Sequence, residues 1–168
     1  PGGLTRALLD EGAQKVVALE ADRRAGAALG ELAEAYPGRL EVIEGDALAV
    51  EMTGLVRGPA KVVANLPYNI ATTLLAGWLS AEPWPPWFES LTLTFQKEVA
   101  DRITAHPGGK TYGRLSILGQ WRCRAARHFD IPARAFVPAP KVTSTVIGLT
   151  PLAAPRAEAE PRCLQTVV

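Results

Sequence analysis

The sequence predicts an α/β fold, a mostly parallel sheet with helices on both faces, and three observations lead there. Short apolar runs recur along the chain, several closed by a polar residue. Helix-like stretches of ten or more residues separate many of them. Gly- and Pro-rich segments punctuate the boundaries. Strand–helix–strand repeats of this kind build right-handed crossovers and therefore parallel neighbours.

In chain order, Leu4–Glu11 reads as a helix ending near Gly12, and Lys15–Glu20 as a short apolar strand. Asp22 to about Tyr36, rich in Ala, Leu and Arg, is the next helix. Leu40–Glu44 and Ala60–Asn65 are further strands. Ala71–Ser80 is a helix that stops before the Pro83–Pro86 cluster, and Leu91–Phe95 is a fourth strand. Lys97–Ala105 and Arg114–Trp121 read as helices around a Pro107-Gly108-Gly109 loop. Val142–Leu149 alternates as a late strand, and from Pro151 the chain turns Pro-, Ala- and Glu-rich, as a linker would. Residues 1–150 are thus expected to form one domain, with 151–168 a linker.

At 168 residues and 48% hydrophobic, the chain can build a sizeable core. No run reaches the length of about 18 apolar residues that a membrane span needs. The first residues show no signal peptide. Cys123 and Cys163 stand far apart with no metal-ligand spacing, so a reduced, cytoplasmic protein without structural metal is expected. The net charge of +1 conceals an asymmetry. Residues 1–96 hold seven Lys/Arg against twelve Asp/Glu, a net of −5; residues 97–141 hold nine against three, a net of +6. Lys97, Arg102, Lys110, Arg114, Arg122, Arg124, Arg127 and Lys141 belong to this basic half and are candidate phosphate contacts. Solvated helix faces would produce the same pattern.

Glu20, Asp46 and Asn65 each close an apolar strand, and in open α/β sheets ligands sit beyond such carboxyl ends. Gly2 and Gly3 precede a helix and could end a turn in which backbone approaches a ligand closely. Glu20, about 18 residues on, suits hydrogen bonds from two ribose hydroxyls, or simply favours the next helix N-terminus. Asp46 can accept from an adenine amino group while the Ala47 amide donates to a ring nitrogen; equally it can cap a helix.

Asn65-Leu66-Pro67-Tyr68 is the most informative stretch. The Asn65 amide oxygen and the Leu66 carbonyl can both accept from one exocyclic NH2, orienting its nitrogen lone pair toward an electrophile. Pro67 stiffens the turn, and Tyr68 offers a face on which a base can stack. A strand-to-helix turn with an Asn cap is the plain alternative.

The tetrapeptide resembles the motif of S-adenosylmethionine-dependent amino-methyltransferases, and Asn65–Ile70 is most similar to that of the ribosomal RNA adenine dimethyltransferases. The resemblance extends through 2–5, 17–20, 45–48, 95–102 (F-Q-K-E-V-A-D-R), 112–116 (Y-G-R-L-S) and 136–144 (F-V-P-A-P-K-V-T-S). It implies a Rossmann-like class I methyltransferase. Gly2, Glu20, Asp46, Ala47 and Asn65 would hold S-adenosylmethionine, and Phe136 would face Tyr68 across the target adenine. It further implies N6-dimethylation of two adjacent adenosines in the 3′-terminal hairpin of small-subunit ribosomal RNA, by a protein expected to be a monomer. No metal or strong base is expected, and neither His106 nor His128 falls in a site motif.

The family carries a strand and the rest of a Gly-rich turn upstream of the segment matched by Pro1, and a helical domain beyond the linker, of which Arg162–Val168 would be a trace. The chain is therefore expected to be a fragment, poorly stable and nearly inactive alone. Equal melting temperatures for it and an N-terminally extended form would defeat that expectation. Three rivals remain: a large-subunit adenine methyltransferase, in which Ile is usual where Leu66 stands; a non-catalytic RNA-binding factor on the same fold; and a nicotinamide oxidoreductase. The last leaves Asn65–Tyr68 unexplained.

Overall fold

The computed structural model describes residues 2–58 and 60–159, so the expectations placed on Arg162–Val168 and on Cys163 lie outside the described residues. The chain divides into two compact units, Pro1–Arg57 and Gly58–Val168.

In the first unit, α1 (Gly3–Asp10), β1 (Val16–Glu20), α2 (Gly26–Ala35) and β2 (Leu40–Glu44) follow one another, with a 3-10 turn at Arg23–Ala25 before α2. The two strands pair in parallel from Val16 opposite Leu40 to Glu20 opposite Glu44. Leu9, Ala25, Leu29, Leu32 and Leu40 form the core. Local polar contacts set the element ends. The Asp22 carboxylate accepts from the Arg24 amide at 2.9 Å and starts the 3-10 turn. Arg24 also lowers the Asp22 pKa to about 2 through its side-chain hydrogen bonds. Arg39 donates to the carbonyls of Leu9 and Ala13, each at 2.7 Å, satisfying groups that the end of α1 leaves open.

The second unit contains β3 (Ala60–Ala64), α3 (Tyr68–Ser80), β4 (Phe88–Gln96), α4 (Lys97–Ile103), α5 (Arg114–Trp121), β5 (Cys123–Ile131) and β6 (Ser144–Pro151). Its four-stranded sheet has the order β3-β4-β6-β5. β3 and β4 are parallel, whereas β4–β6 and β6–β5 are antiparallel. Phe88, Leu91, Leu93 and Phe95 of β4 pack with Leu75 and Leu79 of α3, Ile103 of α4 and Ile147 and Leu149 of β6 in one core.

The α/β class holds, and the expected strands and helices form with small shifts at their ends. The expected mostly parallel sheet does not form: among the described residues two strand pairings are parallel and two antiparallel, because β6 runs against both β4 and β5. α3 starts at Tyr68 because Pro67 takes the N-cap, three residues before the expected start. β6 continues to Pro151, where the composition predicts a linker. One strand is new. Cys123-Arg-Ala-Ala-Arg-His-Phe-Asp-Ile131 lacks a period-two apolar pattern, yet it forms the edge strand β5, with a bulge between Arg127 and Phe129. β6 supplies its hydrogen bonds, so pairing rather than intrinsic pattern makes it a strand. Among the described residues, no helix is long and apolar enough to cross a membrane.

Candidate active site

Asn65–Pro67 is the link between β3 and α3. Pro67 has φ −56° and ψ 131°, and its carbonyl accepts from the amides of Ile70 and Ala71, each at 3.1 Å. Pro67 therefore begins the helix, and no side-chain bond caps it. Asn65 does not act as the helix cap and stays exposed.

Asn65, Leu66, Pro67 and Tyr68 line a cavity of about 240 Å³ together with Phe136, Pro138 and Pro140. The structure thus brings Phe136 to the Asn65–Tyr68 segment across roughly seventy residues of chain. The volume is below the ~300–1,000 Å³ of pockets that enclose drug-sized ligands, and is on the scale of one planar base. The lining is two aromatic rings, three prolines, one aliphatic residue and one amide. Such walls stack a base, and the amide with the Leu66 carbonyl can select its amino group. Tyr68 is fixed from the far side: its Oη lies 2.6 Å from Ser144 Oγ, at the start of β6.

In the first unit, Glu20 and Asp46 stand at the carboxyl ends of the paired strands β1 and β2. The Gly45 amide donates to the Glu20 carbonyl at 3.0 Å, so the two ends are joined. Each carboxylate is oriented by the backbone amide two residues on. Asp22 donates to Glu20 Oε1 and Leu48 to Asp46 Oδ1, both at 2.9 Å. The second oxygen of each takes no hydrogen bond or ion pair among the described residues, which leaves two acceptors for a ligand. After Asp46 the chain makes a turn rather than a helix. A Cβ on Gly45 would lie 2.8 Å from Val50 Cγ2, so the close turn needs glycine. Gly2 is the N-cap of α1 at φ 76°, in the left-handed region that glycine adopts freely. These donors and acceptors fit a nucleoside cofactor.

The basic candidates separate into groups. Arg122 is not a phosphate contact. It is 4% exposed and lies between the rings of Trp84 and Trp121, 4.7 and 4.3 Å from their centroids. Its guanidinium donates to the Leu79 and Ala81 carbonyls and to the Glu82 carboxylate. Arg102 pairs with Glu98, Lys97 with Asp101, and Arg127 with Asp130 and Asp101. The Thr145 hydroxyl, with Arg127, lowers the Asp130 pKa. Arg114 is exposed at the start of α5. Lys110, Arg124 and Lys141, with Arg134, are exposed and take no ion pair among the described residues. Nor, among the described residues, do three or more His, Cys, Asp or Glu side chains gather as a metal site would require.

A sequence model of the family described as ribosomal RNA adenine dimethylase matches residues 1–166. The chain belongs to this family. Its members are S-adenosylmethionine-dependent methyltransferases. A protein of Xanthobacter autotrophicus named ribosomal RNA small subunit methyltransferase A is 62% identical over 156 residues, 92% of this chain and 54% of that protein. A Paracoccus denitrificans protein of the same name is 58% identical over 168 residues, 100% of this chain and 60% of that protein. The chain therefore spans a little over half the length of these curated relatives. Among solved structures, a dimethyladenosine transferase from Plasmodium falciparum superposes with TM-score 0.77 at 32% identity, covering 90% of this chain and 52% of that one. The 23S rRNA methyltransferase ErmE does so with TM-score 0.77 at 27% identity, covering 99% and 63%. The fold is that of a class I methyltransferase.

The residue types and their strand ends were legible in the sequence. The roles of Pro138, Pro140 and Ser144 were not, although all three lie in the quoted 136–144 segment. Only the fold shows which of its residues face Tyr68.

Proposed function

We propose that this protein, at its natural length, transfers methyl groups from S-adenosylmethionine to N6 of two adjacent adenosines in the 3′-terminal hairpin of small-subunit ribosomal RNA, forming dimethyladenosine. One observation carries the reading: Asn65–Tyr68 and Phe136 line a single base-sized cavity. The names of the Xanthobacter autotrophicus and Paracoccus denitrificans relatives support the small-subunit substrate.

In this reading, Tyr68 and Phe136 sandwich the extruded adenine. Stacking worth about 1–3 kcal/mol per base offsets the cost of unstacking it. The Asn65 oxygen and the Leu66 carbonyl accept from the N6 amine and turn its lone pair toward the methyl donor. S-adenosylmethionine, when bound, supplies an electrophilic sulfonium methyl group. Glu20 would hold the cofactor's ribose hydroxyls, Asp46 and the Ala47 amide its adenine, and Gly2 the close turn beside it. As the N6–methyl bond forms and the sulfur–methyl bond breaks, the donor would be left as a neutral thioether and N6 as a cationic ammonium. That ammonium is far more acidic than water and would lose its proton to solvent or to the Asn65 and Leu66 acceptors, so no strong base is required. In the second round the amine has one hydrogen left to donate to the same pair.

On the RNA side, Lys110, Arg114, Arg124 and Lys141 would contact phosphates, with Lys97, Arg102 and Arg127 doing so by exchanging their carboxylate partners. A monomeric, cytoplasmic protein, with residues 1–150 as its catalytic domain, completes the proposal. The likeness to ErmE favours a large-subunit target less strongly, at 27% identity against 62% for the small-subunit relative.

The test is incubation of the natural-length protein with S-adenosylmethionine and unmodified small ribosomal subunits, followed by mass spectrometry of RNA fragments. Dimethyladenosine in the 3′-terminal hairpin, lost with Asn65→Ala, is the expected result. Product only in large-subunit RNA, or none despite measured cofactor binding, would overturn the substrate.

A further inference from the structure

We propose that Ser144 is a positioning residue, holding Tyr68 as one wall of the base cavity through the hydroxyl–hydroxyl hydrogen bond. The inference rests on the functional reading above and extends it to a residue outside the cavity lining.

Ser144 is an unusually rigid anchor. It is fully buried, and β6 lies between β4 and β5, so its backbone is held opposite Gln96 on one side and Ile131 on the other. Its neighbours are fixed as well: the Lys97 amide donates to the Thr143 carbonyl at 2.9 Å, and the Thr145 hydroxyl donates to Asp130 Oδ1 at 2.6 Å. The Oη of Tyr68 meets this anchor at 2.6 Å from a position 76 residues earlier in the chain. Ser144 also follows closely on the segment carrying Phe136, Pro138 and Pro140. The bond therefore ties one wall of the cavity to the strand that leads out of the other.

A second observation gives the bond its purpose. Tyr68 also borders a separate void of about 20 Å³, with Ala71, Thr72, Phe95, Gln96 and Val99. That is room for about one water. The ring is thus not packed tightly all round, and close packing alone does not set its tilt. Without the Ser144 hydroxyl, the ring can lean toward the void and widen the slot opposite Phe136. The slot must close on adenine and again on the methylated base, so its width bears on both rounds.

The experiment is a double-mutant cycle in the natural-length protein with Ser144→Ala, Tyr68→Phe, the double variant and Ser144→Thr. The first readout is binding of an RNA hairpin carrying 2-aminopurine at a target adenosine, followed by its fluorescence; single-turnover methyl transfer and melting temperature accompany it. Each single change is expected to weaken base capture about threefold to tenfold, the scale of one hydrogen bond. The double variant should lose no more than either single, and Ser144→Thr should recover most of the loss. Additive losses, unimpaired capture in Tyr68→Phe, or Ser144→Thr no better than Ser144→Ala would each overturn the role of the bond. Tyr68→Phe keeps the ring and tests the same bond even if Ser144→Ala fails to fold. Absence of methyl transfer by the unsubstituted protein would sink the functional reading, while the binding cycle would still decide the role of Ser144. No capture of the analogue by the unsubstituted protein would sink the base wall itself.

Discussion

At the scale of single residues, chemistry confined to a short segment was readable in advance and chemistry between distant residues was not. Asn65, Leu66, Pro67 and Tyr68 announce themselves because acceptor, carbonyl, rigid turn and ring are consecutive. Ser144 looks like any strand serine until Tyr68 is found 2.6 Å away. Cys123 is a similar case. Its buried thiol is pushed up to about 12, chiefly by loss of solvation, with the Arg122 charge partly opposing. It should resist alkylation at pH 8 while the protein is folded and react at once in denaturant. A thiol labelled at equal rates in both states would contradict its burial. The linkage has a definite sign: the unfolded thiol ionises near its ordinary value of 9.0, the folded one near 12, so Cys123 lowers stability as pH rises between them and has no effect below. At Gly2, φ 76° predicts that Gly2→Ala costs about 1–2 kcal/mol, visible in chemical denaturation of the natural-length protein.

At the scale of elements, the basic half of the sequence was overcounted because composition does not distinguish a buried guanidinium from an exposed one. Arg122 lies between two indoles and is tied to the end of α3 and the residues after it. Arg122→Ala should therefore destabilise the protein by roughly 2–4 kcal/mol in a urea melt, through lost stacking and the Leu79 and Ala81 carbonyls left without their donor. Arg122→Lys should recover only part of that, since an ammonium cannot stack as a planar group. Arg124, two residues on and exposed, should behave oppositely. Arg124→Ala is expected to leave the melt nearly unchanged and weaken RNA binding. The edge strand that carries Arg124 was itself hidden, because its pairing to β6 and not its own alternation makes it β.

At the scale of the molecule, the basic segment 97–141 holds four exposed cations that take no ion pair among the described residues: Lys110, Arg124, Arg134 and Lys141. If these supply most of the phosphate contacts, the logarithm of RNA affinity should fall against the logarithm of salt with a slope of about −3 for single-stranded contacts. A slope near −5, measured by titration at several salt concentrations, would require that the paired residues Lys97, Arg102 and Arg127 also engage. The α/β class was legible because the apolar runs and helical spacing repeat along the whole chain. The division of the packing into two cores was not, since it depends on which strands pair. That division has a consequence for how the protein opens. Among the described residues, the core of the first unit has five buried apolar residues and that of the second has thirteen, so amide hydrogens of β1 and β2 should exchange with deuterium well before those of β4 and β6. A cofactor held by Glu20 and Asp46 would then stabilise the less protected of the two, and its arrival should be recorded as slowed exchange across 16–20 and 40–44 before any methyl group has moved.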